Sequence, residues 1–276
     1  MDLANAEMGE IVLYATLLLG TGALAGFLAG LFGVGGGALI VPVLFEAFGA
    51  IGVEDSVRMH LAIGTSIAVI VPTSIRSFIA HRRLGSVDED LLRSWLFVLP
   101  VGVVLAIVVA ALIGDGGLRA VFSVLALLFA FRFLFLGRLP PFADDLPAQP
   151  GRGAIGLAIG FFSTLIGVGG GIFNNTFMTL FGRSMLRAVA TSSGVGILVS
   201  LPAVIGYVIA GWGQVDLPFG SLGYVSIAAA AFLVPTTIFM APIGVRMAHA
   251  ANRRYLEIGF GAFLLLVAAR FAASLT

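Results

Sequence analysis

Cysteine and lysine are both missing from these 276 residues. Without cysteine there can be no disulfide, thiolate nucleophile or Cys-ligated metal, and no thiol marks the redox compartment. Without lysine, all fifteen basic residues are arginine, a pattern produced either by coding bias or by selection for guanidinium chemistry. Charge is scarce altogether, at 11% against roughly 25% in soluble domains. The net charge of +1 gives no reason to expect a nucleic-acid partner. No polar stretch between apolar ones exceeds about 20 residues, which leaves no room for a soluble catalytic domain. Catalytic parts are lacking too. There is no HExxH, no Gly-x-Ser-x-Gly, no His/Asp/Glu cluster at metal spacing and no nucleophile–base set, so neither an enzyme nor a cofactor is expected.

What the chain has instead is apolar length. Apolar residues make up 59% and the mean hydropathy is +1.11. Ten apolar segments follow one another, at about 11–32, 35–49, 61–80, 91–113, 118–137, 153–167, 170–182, 188–210, 221–243 and 255–274. Merging the Gly-broken pairs reduces the count to eight. Runs of about 20 residues match a hydrocarbon core of roughly 30 Å at 1.5 Å per helical residue. Length rather than alternation is the signal, which predicts an all-α polytopic membrane protein and not a barrel. The first ten residues carry Asp2, Glu7 and Glu10 and no arginine, so the first segment reads as a permanent membrane element and not a cleaved signal.

The order of motifs indicates duplication. Gly33-Val34-Gly35-Gly36-Gly37 recurs as Gly167-Val168-Gly169-Gly170-Gly171. Ala62 to Ser66 recurs as Ala188 to Ser192, Pro72 as Pro202, and Val87-Asp88 as Val215-Asp216. The proline-rich stretch 138–152 divides a first repeat, 1–137, from a second, 153–276. With the loop 81–93 placed in the cytoplasm, eleven arginines fall on that side and only Arg58 and Arg119 opposite, which makes 138–152 cytoplasmic and both termini external. Five segments per half is odd, so the second repeat is expected upside down relative to the first. The expected location is a bacterial-type inner membrane.

Segments 35–49 and 170–182 are too short to cross the bilayer. Each opens on glycines, where bare amides and the positive end of a helix dipole favour an anion. Gly35, Gly36, Gly37, Gly169, Gly170 and Gly171 are therefore candidate substrate-binding residues, with close helix packing as the alternative. No Gly-Lys-Ser/Thr follows either cluster, so neither is a nucleotide loop. Gly22-x-x-x-Gly26-x-x-x-Gly30 and Gly156-x-x-x-Gly160 read as packing motifs. Asn174 and Asn175 are costly in an apolar segment unless partnered, and stand where the first half has Ile40 and Val41. Thr65, Ser66, Thr191, Ser192 and Ser193 are candidate donors to an oxyanion, or else bond the preceding turn. Arg76 either faces the interior as an anion partner or snorkels to the headgroups. His60 and His81 read as interfacial, and Glu46 as the carboxylate nearest the membrane interior. With no deep acidic pair, a carboxylate proton relay has little support.

The paired openings GLFGVGGGALIVPVLF (30–45) and STLIGVGGGIFNNTFMTLFG (163–182), followed by IGTS (63–66) and VATSS (189–193), resemble the sulfite exporter TauE/SafE family over about 20–274. The resemblance implies a membrane carrier for sulfite, sulfonates such as sulfoacetate, or related anions. Asn174, Asn175 and Thr176 depart from that family's Ile-Val-Pro-like second opening. The expectation is thus a secondary transporter of a small anion by alternating access. An anion channel and a non-transporting scaffold are the competing readings. The coupling ion and the assembly state, a homodimer included, are left open.

Overall fold

The computed structural model describes residues 2–32, 36–136, 140–248 and 253–275. The architecture is all-α, with no barrel. In chain order the helices are α1 Asp2–Phe32, α2 Gly37–Ala50, α3 Asp55–Arg83, α4 Glu89–Trp95, α5 Val98–Phe131, α6 Gly151–Ile166, α7 Gly171–Leu180, α8 Met185–Ala210, α9 Ile227–Ala248 and α10 Arg253–Ala273. A π-helical turn, Arg132–Leu136, continues α5, and a two-stranded hairpin, β1 Ser221–Leu222 with β2 Val225–Ser226, precedes α9. Asp55–Arg83, Val98–Leu136, Met185–Ala210 and Ile227–Gly244 are long and apolar enough to cross a membrane. Ala15–Gly30, Gly37–Ala50 and Gly151–Ile166 are shorter apolar helices.

α5 is two helices joined at a reversal. Gly114 adopts φ 64° and ψ −174°, which interrupts the helical backbone and which a side chain would strain. Leu99 lies against Gly160 of α6, while Phe129 packs at 5.0 Å on Phe173, itself stacked on Phe162 of α6. Residues fifteen positions before and after Gly114 therefore meet the same region, whereas a straight helix would separate them by about 45 Å. The predicted break between 91–113 and 118–137 is this turn. The segment predicted at 91–113 divides again, because Asp88 caps a separate α4 by accepting a bond from the Leu91 amide at 3.1 Å. The segment predicted at 221–243 becomes helical only at Ile227.

α3 and α8 pack together at the centre, α1 pairs with α9, α6 with α5, and α10 with α5. Small residues set these approaches, as GxxxG spacing predicts. A Cβ on Gly22 would collide with Thr236, and one on Gly26 with the Thr237 carbonyl. One on Gly156 would meet the Trp95 indole at 2.6 Å, and one on Gly160 the Leu99 carbonyl. Trp95 is fully buried and donates to the Arg152 carbonyl at 2.9 Å, fixing α4 against the start of α6.

Candidate functional site

The site begins where α6 gives way to α7. Gly167, Gly169 and Gly170 all have positive φ, 70°, 64° and 84°. Three left-handed residues within four positions need glycine, because a Cβ there runs into the backbone. The chain can then turn inside the fold and restart as α7, a helix of ten residues and about 15 Å, half a hydrocarbon core. Its first backbone bond runs from the Asn174 amide to the Gly170 carbonyl at 2.9 Å. The amides of Gly169 and Gly171 have no backbone partner among the described residues.

Those two glycines line a cavity of about 530 Å³. Ala29 and Gly30 of α1, Thr73, Ser74, Arg76, Ser77, Ala80 and His81 of α3, Val189, Ser192 and Ser193 of α8, and Ile238, Ala241, Pro242 and Arg246 of α9 complete the wall with Leu84. The cavity reaches the surface at Leu84 and Arg246, both exposed. Among the described residues no carboxylate lines it, although it carries two guanidinium groups and a buried imidazole. Neither Arg76 nor Arg246 has a carboxylate partner among the described residues. A void with two uncompensated cations and no anion is electrostatically suited to an oxyanion, and guanidinium adds paired donors in a fixed fork.

Not every hydroxyl on the wall is free to donate. Ser192 Oγ gives its proton to Asn175 Oδ1 at 2.7 Å and accepts from Asn174 Nδ2 at 2.8 Å. Ser193 donates to the Ala190 carbonyl at 2.6 Å, and Thr73 to that of Val69 at 3.0 Å. Ser74 and Ser77 make no hydrogen bond among the described residues, so their protons remain available. The donor set facing the void is therefore Arg76, Arg246, Ser74, Ser77, His81 and the amides of Gly169 and Gly171.

The structure distributes the sequence candidates over three positions. Gly169, Gly171, Arg76, Ser192 and Ser193 line the cavity. Asn174 and Asn175 lie behind it, buried, holding Ser192; Asn174 Oδ1 has no partner. Gly170 caps α7 and packs on Val195. The third group, Gly36 apart, makes contacts between the halves. Ser66 donates to the Gly167 carbonyl at 3.0 Å. Thr65 accepts from the Ser226 amide at 2.9 Å, and Thr191 from the Asp88 amide at 2.9 Å. Gly36, with φ 72°, caps α2 and lies against Ala25, and a Cβ on Gly37 would collide with the Gly167 carbonyl. These five do not line the cavity. Gly35 lies outside the described residues.

Several sequence expectations change here. Thr73, Ser74, Ser77, His81 and Arg246 were not singled out as binding residues, though Thr73-Ser74-x-Arg76-Ser77 is a polar cluster within an apolar segment. His60 and His81 are buried within the protein, at 5% and 7% exposure. Glu46 sits at the surface, paired with Arg270 at 3.0 Å, whereas Asp88, Asp115 and Glu257 are the buried carboxylates. Val215 and Asp216 are exposed. The structural counterpart of Val87-Asp88 is Val225-Ser226, likewise buried and capping, with Ser226 Oγ accepting from the Ala229 amide at 3.3 Å.

Residues 18–271 match the family described as Sulfite exporter TauE/SafE. A probable membrane transporter protein of Haemophilus influenzae is 32% identical over 258 residues, covering 92% of this chain and 97% of that one. A probable membrane transporter protein of Methanocaldococcus jannaschii is 27% identical over 262 residues, with 92% and 94% covered. No solved structure gives a significant match.

Proposed function

This chain belongs to the sulfite exporter TauE/SafE family of membrane transporters, and from that premise we propose that it is a secondary carrier whose cavity takes a small oxyanion, sulfite or an organosulfonate such as sulfoacetate, by alternating access. The observation that carries the reading is the cavity beneath α7, cationic at Arg76 and Arg246 and without a carboxylate on its wall. An anion entering past Leu84 meets the guanidinium groups first, then the Ser74 and Ser77 hydroxyls and the amides at the start of α7. Charge-assisted bonds of this kind contribute about 1.5–3 kcal/mol each. The cost of stripping water from the anion is offset because the donors are already fixed in place.

The contacts between halves support alternating access. When the two halves are exchanged, the α1–α9 pairing becomes α6–α5, and Thr65 on Ser226 becomes Thr191 on Asp88. A carrier built of two such repeats can exchange the roles of its two ends by a rocking motion. The cavity reaches the surface at Leu84 and Arg246. Toward the other end, α3 is buried from Met59 through Ile67, as a carrier requires and an open pore does not. A scaffold would have filled the void with side chains.

The test is sulfite or sulfoacetate flux in vesicles containing the purified chain. A carrier gives saturable flux that Arg76→Gln reduces by about tenfold or more. Flux that never saturates, with single-channel current, would instead make the protein a channel.

A further inference from the structure

A second set of buried titratable side chains sits at the end of α3 away from the cavity. Asp115 follows the Gly114 turn, and its Oδ1 accepts from the amides of Met59 and His60. The His60 ring lies between Asp115 and Ala110, with Nε2 3.2 Å from the Ala110 carbonyl and Nδ1 3.5 Å from Asp115 Oδ1. It stacks on Tyr224 of the β1–β2 hairpin, with centroids 4.9 Å apart and planes at 29°. The His60 and Asp115 side chains are 6% and 4% exposed.

The chemistry of those neighbours counts protons. A backbone carbonyl only accepts, so the tautomer with hydrogen on Nε2 donates to Ala110. An ionised carboxylate also only accepts, so the neutral ring then turns the bare Nδ1 lone pair toward Asp115. Nδ1 accordingly makes no hydrogen bond. One added proton changes this. On Nδ1 it forms an N–H bond, and the lone-pair contact becomes a charge-assisted hydrogen bond to the carboxylate. Other charges nearby are already engaged. Arg119 approaches Asp115 Oδ2 at 3.5 Å and donates to the Ser274 carbonyl at 3.1 Å, opposing a second positive charge on His60. Arg58 is held by Asp55 at 2.8 Å and by the Val53 carbonyl, and Arg270 of α10 by Glu46 of α2. Tyr207 of α8 takes the Tyr224 amide on its carbonyl, at 3.2 Å, behind the stack. Burial pushes the Tyr224 phenol up, the Asp115 charge adds to this, and a bond with Gln214 works against it.

The position gives this proton a consequence. From Met59 to Ile67, α3 is buried on the side of the cavity away from Leu84 and Arg246, the position of a seal. His60 ties that end of α3 to the α5 turn through Asp115, and to the second half through Tyr224. We propose that His60 and Asp115 form a proton-binding site that fastens this seal, which makes the proton the ion coupled to anion movement. The coupling part rests on the carrier reading above. A proton taken onto Nδ1 from water on the cavity's side holds the seal shut, and opening of the seal releases it to water on the far side, so that one proton crosses in each cycle.

The experiment uses the full chain in two arms. The first needs no substrate: ¹⁵N-histidine NMR of the purified protein, which has three histidines, His60, His81 and His249. The ring signal missing from His60→Gln should show hydrogen on both ring nitrogens when the proton is bound, and Asp115→Asn should diminish that doubly protonated form, because the carboxylate that pairs with imidazolium is gone. A ring that keeps one neutral tautomer throughout, or that titrates identically in Asp115→Asn, overturns the site. In the second arm, vesicles containing the chain are given a pH gradient and sulfite. Wild type should accumulate sulfite, while His60→Gln and Asp115→Asn should still exchange it across the membrane but lose about tenfold of the gradient-driven accumulation. Full accumulation by both variants overturns the coupling. If wild type moves no sulfite at all, the carrier reading is what fails, and the NMR arm still decides the proton site.

Discussion

α2 and α7 begin alike, on Gly36 and Gly170 at φ 72° and 84°, and both are too short to cross a bilayer, yet their surroundings differ. The start of α2 is pressed against the Gly167 carbonyl, and Ile40 and Val41 behind it are fully buried among aliphatic neighbours. The start of α7 borders the cavity, and the equivalent residues Asn174 and Asn175 hold Ser192 in its wall. The same backbone device therefore gives a packing joint in one half and a cavity wall in the other. What decides is the surroundings: Gly37 meets a carbonyl of the opposite opening, while Gly169 and Gly171 border a cavity that polar residues of α3 and α8 also line.

That contrast can be broken most decisively at Gly37. Gly37→Val forces backbone apart, so a loss exceeding the roughly 1–3 kcal/mol of ordinary overpacking is expected, seen as lost monodisperse protein and a lower Tm. Gly169→Ala has only the Ile70 side chain to displace, 2.8 Å from the new Cβ. It should keep the fold at a cost of about 1 kcal/mol for its positive φ while lowering anion flux. Equal tolerance at the two positions would erase the distinction. Next in size, Asn174→Ala should lower stability by about 1–3 kcal/mol, because its bond to Ser192 is buried, while Ser192 stays bonded to Asn175. Thr65→Val and Thr191→Val remove matching contacts between the halves, so each should cost a similar 1 kcal/mol or so by thermal melting. An effect at one and none at the other would count against the two-fold relation. The smallest change belongs to Glu89→Gln, whose bridges to Arg82 and Arg93 are exposed, with an expected cost of no more than about 1 kcal/mol.

The sequence carried the membrane class, the apolar segments and the two glycine openings, because hydrocarbon thickness and the steric demands of a left-handed turn are written into residue type. The Gly114 break was legible as a boundary for the same reason. Which opening faces space was not legible, since GVGGG is identical in both halves and only tertiary contact separates Gly37 from Gly171. Asp115 was passed over as a loop residue between two segments, and burial came from a reversal that folds it onto the start of α3. Arg246 looked like one more cytoplasmic charge. Its role at the cavity mouth depends on α9 returning beside α1 and α3, a contact between residues far apart in the chain. The counterpart of Val87-Asp88 was misassigned because the capping residue is aspartate in one half and serine in the other, the same hydrogen bond made by different letters.

The most direct measurement is equilibrium binding to the purified chain, by calorimetry and thermal shift, of sulfite, sulfoacetate, taurine, thiosulfate, sulfate and simple carboxylates, with Arg76→Gln alongside. The account predicts saturable binding of at least one of the sulfur oxyanions, weakened about tenfold or more by Arg76→Gln with Tm unchanged in the absence of anion. Binding of equal strength in Arg76→Gln, or no binding of any of these anions by the folded wild type, would contradict it.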